Sequence, residues 1–120
     1  MGPTVLIVDD VDATRRGLAE LLRLKGFPTR EAANGAEALR CLQENSDIGV
    51  VVLDLRMPGQ DGYWFREQQL RDPAIAHIPV LVFTGASDAD AARQQLRVDE
   101  VLHKPVAVDD LLAALSRHCA

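Results

Sequence analysis

The chain has 120 residues, 48% hydrophobic and 26% charged, which is the composition of one ordinary globular domain over 1–120. Its net charge of −5 argues against a nucleic-acid-binding surface, and no apolar run nears the roughly 20 residues of a membrane span. The two cysteines, Cys41 and Cys119, lack C-x-x-C spacing and Met1-Gly2-Pro3-Thr4 leads straight into a strand with no signal peptide, so a reducing cytoplasm is expected.

Short apolar runs alternate with amphipathic stretches along the whole chain. Val5-Leu6-Ile7-Val8 predicts the first strand, ended by Asp9-Asp10. Asp12 is the expected N-cap of a helix with Leu18, Leu21 and Leu22 on its inner face, closed by Gly26. A weaker strand follows between Pro28 and Ala33. Asn34-Gly-Ala-Glu37 has the form of a capping box, with Ala38, Leu39 and Leu42 as the next buried stripe and Cys41 as a buried thiol. Val50 to Leu53 reads as a central parallel strand that ends on Asp54, and the Pro58-Gly59 and Asp61-Gly62 pairs after it read as turns.

A third helix from about Tyr63 to Arg71 is polar for its place, with Gln68 and Gln69 where apolar residues are expected. Trp64 in it reads as a packing residue. Ile78 to Phe83 predicts a further strand ending at Thr84-Gly85. Ser87 can cap an Ala-rich fourth helix with Ala89, Ala92 and Leu96 turned inward. Val101-Leu102-His103 is a short fifth strand before Lys104-Pro105, and Asp109 is the expected cap of a last helix carrying Leu111, Leu112 and Leu115 inward. His77, His103 and His118 show no ligand spacing. This alternation predicts an α/β fold: a parallel sheet covered on both faces, a doubly wound (βα)5 three-layer sandwich of flavodoxin-like order 2-1-3-4-5.

In that order the residues that end the strands gather at one sheet edge: Asp9, Asp10, Asp54, Thr84 and Lys104. Ligands of open α/β sheets bind at that edge. Three packed carboxylates repel, and a hard divalent cation such as Mg²⁺ relieves the repulsion. A hydroxyl and an ammonium opposite the metal suit a phosphoryl group. The set reads as an aspartate nucleophile with a metal and a cation to neutralise incoming phosphate charge.

The segments "VLIVDD", "ANGAEAL", "VVLDLRMPGQDG", "IPVLVFTGAS" and "LHKPV" occur in the order found in receiver domains of two-component response regulators. From Val5 to about Arg117 the chain resembles that family, and it is similar to the chemotaxis-type single receivers. The resemblance implies that Asp54 accepts a phosphoryl group from the phosphohistidine of a histidine kinase or histidine phosphotransfer protein. It implies Mg²⁺ held by Asp10, Asp54 and the backbone carbonyl of Arg56, with Asp9 acting largely through water. Thr84 would bond the phosphoryl oxygens and Lys104 would pair with them, and the aspartyl phosphate would hydrolyse slowly. Switching would involve Thr84 and the face built from the fourth helix, fifth strand and last helix, passed on to a downstream effector domain or protein. Thr14, Arg15 and Leu18 on the first helix are expected surface contacts for the kinase.

Two departures from the family fall on the switching face. Val101 stands where the family usually carries Tyr or Phe, and "QLRVDEV" replaces the usual Ala-Gly-Ala before the fifth strand, so the fourth helix is expected to be short or irregular. Both a stand-alone receiver and one cut out of a hybrid kinase or larger regulator fit this sequence.

Two rival readings exist. Asp10-Val11-Asp12-Ala13-Thr14 matches the D-x-D-x-T nucleophile motif of haloacid-dehalogenase-like phosphatases, although Asp9 stands where an apolar residue should precede it. A nucleotide- or flavin-binding module would need Gly, Ser or Thr in its first loop, where this chain has Asp-Asp-Val-Asp.

Overall fold

A computed structural model describes residues 3–54, 62–84, 98, 100–103 and 107–118, excluding the side chains of Thr84 and His103. The apolar runs form one parallel sheet: β1 (Thr4–Val8), β2 (Thr29–Ala32), β3 (Ile48–Asp54), β4 (Val80–Thr84) and β5 (Glu100–His103), in the order β2-β1-β3-β4-β5. Runs such as Thr4–Val8 are buried along their whole length because helices cover both faces of the sheet. Four helices lie among the described residues: α1 (Asp12–Leu24), α2 (Gly35–Glu44), α3 (Gly62–Arg71) and α4 (Val108–His118). The helix expected from Ser87 to Leu96 lies outside the described residues.

Strand alternation splits the apolar side chains into two layers. Leu6, Val8, Val51, Leu53, Val80, Val82 and Val101 pack with Ala38, Leu42 and Phe65 of α2 and α3. Val5, Ile7, Val50, Val52 and Leu81 pack on the other side with Ala19 and Leu22 of α1 and Leu111, Ala114 and Leu115 of α4. Each layer is sealed by residues such as Leu6, Leu22, Phe65 and Leu115 that have no exposed surface.

Helix ends show where backbone geometry overrides the caps expected from residue type. Val11, not Asp12, caps α1: its backbone is extended and its carbonyl accepts the Arg15 N–H at 2.9 Å, so Asp12 is the first helical residue. Its carboxylate still sits in the first turn, where the helix dipole favours negative charge. Ala107 likewise precedes α4, its carbonyl accepting the Leu111 N–H, and Asp109 lies within the first turn. The Asn34 cap forms as expected, with Oδ1 accepting the Glu37 N–H at 2.9 Å. Glu37 reaches back one residue further than a capping box requires, to the N–H of Ala33 at 3.1 Å. Gly26 ends α1 with φ of +94°, a left-handed conformation that favours glycine.

The buried stripe of α1 is Arg15, Ala19 and Leu22, with Leu18 and Leu21 only half-buried. Cys41, expected to be buried, is half-buried against the first layer, and burial pushes its thiol above the ordinary cysteine range. Trp64 is also a half-buried packing residue of that layer.

The polar character of α3 has a structural use. Gln69 is completely buried, and its amide donates to the carbonyls of Ile75 at 3.0 Å and Ile78 at 2.9 Å. Its Oε1 accepts from Arg66 Nη1 at 2.8 Å, and Arg66 is itself buried. Those carbonyls belong to the turn that delivers the chain into β4. That turn places the strand start at Val80 rather than at Ile78, although the Pro79 carbonyl already accepts from Val51.

Candidate functional site

β1 and β3 are adjacent, with Val8 paired to Leu53, so the residues that follow or end them sit side by side at the carboxyl edge. Asp54 is the last residue of β3 and is 5% exposed. Carboxylate oxygens of Asp9, Asp10 and Asp54 all lie within 4.8 Å of one another. Two of the three come from a single turn, and the third is delivered by the neighbouring strand.

Three polar atoms of Asp9 hold that turn in place. The Asp9 N–H donates to the Ala32 carbonyl at 3.1 Å, continuing the β1–β2 ladder by one residue. Asp9 Oδ1 accepts the Val11 N–H at 2.9 Å, a local side-chain turn of the kind aspartate favours. The Asp9 carbonyl accepts from Arg15 Nη1 at 2.9 Å.

Arg15 does not lie where the sequence predicts. Expected as a surface contact, it is 7% exposed and turned back toward the acidic turn. Its Nη2 donates to Asp12 Oδ1 at 2.7 Å and its Nε to Glu31 Oε1 at 3.1 Å. Burial alone would lower its pKa, but the hydrogen bonds to Asp12 and Glu31 outweigh that and raise it, so it is a fixed positive charge. The Asp12–Arg15 spacing of three is readable from sequence, whereas Glu31 comes from β2 and is not.

Three clustered carboxylates offer only oxygen donors. That set suits a hard cation such as Mg²⁺, which takes one or two carboxylates and keeps several waters, better than a softer ion. The residues present therefore fit the expected metal.

β4 sets Thr84 beside His103 of β5, with Asp54 paired to Phe83, so the backbone at Thr84 reaches the same edge. The Thr84 side chain, Arg56 and Lys104 lie outside the described residues. Val101 pairs with Val82 and is buried in the first layer. Its short branched side chain is part of the core.

Residues 5–116 match the model of the response regulator receiver domain family. The chain is 33% identical over 118 residues to the C4-dicarboxylate transport transcriptional regulatory protein DctD of Rhizobium meliloti, covering 96% of this chain and 25% of that protein. It is 40% identical over 93 residues to the chemotaxis protein CheY-3 of Vibrio cholerae, covering 77% of this chain and 68% of that protein. A crystal structure of a response regulator receiver protein from Pseudomonas putida superposes with a TM-score of 0.87 at 26% identity, covering 98% of each chain. The chain thus spans about a quarter of the length of DctD. The phosphatase reading of Asp10 finds no support in these matches, which place the same segment in a receiver domain.

Proposed function

Because the chain belongs to the response regulator receiver domain family, and so is a receiver domain of two-component systems, we propose that Asp54 is its phosphoryl acceptor. The observation that carries this reading is the burial of Asp54 at a strand end with the carboxylates of Asp9 and Asp10 within 4.8 Å. The donor would be the phosphohistidine of a histidine kinase or histidine phosphotransfer protein. An Asp54 carboxylate oxygen attacks phosphorus, the P–N bond breaks, and the imidazole leaves with its electron pair and takes up a proton. Hydrolysis of the acyl phosphate returns the carboxylate and releases inorganic phosphate.

Asp10, Asp54 and the Arg56 carbonyl would hold Mg²⁺, with Asp9 acting mainly through water. The ion would supply charge neutralisation that lets an anionic donor approach three carboxylates. The Thr84 hydroxyl would donate to a phosphoryl oxygen, and the Lys104 ammonium would pair with the transferred group. Each role rests on the match of that position to the family motif. No helix among the described residues is long and apolar enough to cross a membrane. We place the protein in the cytoplasm, as one receiver domain over 1–120 acting on an effector domain or protein.

The test is incubation with acetyl phosphate, with and without Mg²⁺, followed by intact mass and peptide mapping. One base-labile phosphoryl group on Asp54, gained only with Mg²⁺, is the expected result. Label on Asp10, or none under any condition, overturns the proposal.

Val101 bears on the response rather than on the chemistry. A buried valine has no ring to relocate when Thr84 engages a phosphoryl group. Phosphotransfer does not call on that ring, so we propose that the chemistry is kept while the usual aromatic relay is absent and the switch face at Thr84 and Val101 is atypical. Light scattering on the phosphorylated and unphosphorylated protein should give the same mass; strong dimerisation on phosphorylation would refute this part.

A further inference from the structure

We infer that Arg15 is a positioning residue for the divalent-cation site, holding the Asp9–Asp10 peptide in the orientation that aims the Asp10 carboxylate at Asp54. This rests on the reading of Asp9, Asp10 and Asp54 as that site. The peptide unit is planar, so the Asp9 carbonyl and the Asp10 N–H move as one body. The Arg15 hydrogen bond at 2.9 Å to that carbonyl fixes the tilt of the plane. The tilt sets ψ of Asp9 and φ of Asp10, and with them the direction in which Asp10 leaves the backbone. The Asp9 N–H and Oδ1 are anchored separately, on Ala32 and Val11. The carbonyl is the remaining backbone handle at Asp9, and Arg15 holds it.

The guanidinium can do this because it is itself immobilised. Its planar fork meets Glu31 on β2 through Nε and Asp12 in the first turn of α1 through Nη2. One side chain therefore joins the exit of β1, the start of α1 and the neighbouring strand. Asp12 and Glu31 also balance its charge, which is what lets it sit 7% exposed. A lysine could not reproduce the arrangement, since a single ammonium on a flexible stem cannot span the three acceptors in one plane.

A purely structural role would lower stability and leave the cation affinity unchanged, so the experiment reads both. Amide spectra of ¹⁵N-labelled protein are recorded during Mg²⁺ titration, following Asp9, Asp10 and Val11, alongside thermal midpoints without Mg²⁺. Wild type should give saturable shifts at these amides. Arg15→Ala and Arg15→Lys should bind Mg²⁺ about tenfold or more weakly, the usual effect of removing a group that orients a metal ligand. Glu31→Gln keeps an oxygen for Arg15 Nε and should bind Mg²⁺ close to the wild-type value. If Arg15→Ala fails to fold, Arg15→Lys carries the comparison.

Wild-type affinity retained in a folded Arg15 variant, whatever its thermal midpoint, overturns the inference while leaving the acidic site standing. An absence of Mg²⁺ response in the wild type overturns the site itself. Glu31→Gln weakened as much as Arg15→Ala would mean that local charge, not the hold on the Asp9 carbonyl, sets the affinity, and would also refute it.

Discussion

Asp54→Ala should gain no acyl phosphate from acetyl phosphate and Mg²⁺, by intact mass, under conditions that label the wild type. The two remaining carboxylates do not substitute. Asp9 Oδ1 is engaged by the Val11 N–H, and its backbone is fixed by Ala32 and Arg15. Asp10 would be occupied with the cation rather than free to attack. The variant should also respond less to Mg²⁺ in thermal melts. A ligand at ten times its Kd stabilises a fold by about 1.4 kcal/mol, and losing one of its anionic donors removes most of that gain. Because Asp54 ends β3, its side chain can be shortened without interrupting the ladder to β4. Continued labelling of Asp54→Ala, at Asp10 or elsewhere, would show that the acceptor has been misassigned.

The second large effect lies at the opposite end of the sheet. Gln69→Leu should destabilise the protein by about 3 kcal/mol or more, although it places an apolar residue in an apolar environment. Leucine leaves the buried carbonyls of Ile75 and Ile78 without their donor, and it deprives Arg66 of its acceptor on Gln69. Orphaning a buried polar group costs about 1–3 kcal/mol each time, which exceeds what the extra apolar contact returns. Urea denaturation is the measurement. A leucine variant as stable as the wild type would mean that these groups find water or other partners. Phosphorylation by acetyl phosphate should survive in whatever fraction remains folded, because the staple acts on the entry to β4 and not on its carboxyl edge.

Gln69 also shows where sequence reading stops. A glutamine in the third helix stands out as a polar residue in an apolar place, but its partners are main-chain carbonyls of a turn whose path no periodicity encodes. Arg15 escapes for a related reason: its partner Glu31 lies sixteen residues away on another strand. What was legible is what short-range pattern governs. Val5–Val8 and Val50–Leu53 are strands because a covered parallel sheet demands unbroken apolar runs, and the strand order follows from the alternation with helices. Asp9, Asp10 and Asp54 were legible because a charge that ends a buried strand must lie at the rim. Asp12 and Asp109 were each misjudged as caps, since an extended Val11 and the carbonyl of Ala107 decide where the helices begin, and residue type alone does not report backbone angles.

The inward turn of Arg15 removes its side chain from the surface that α1 would offer to the proposed kinase partner. If partner choice is written on the first helix, its letters are exposed positions such as Thr14, Arg16 and Gly17, together with the half-buried Leu18. Arg15 belongs to the spelling of the fold. Rewiring the protein to a new kinase by exchanging the whole segment between Thr14 and Leu18 would alter address and architecture together. Exchanging only the outward letters would change the address alone.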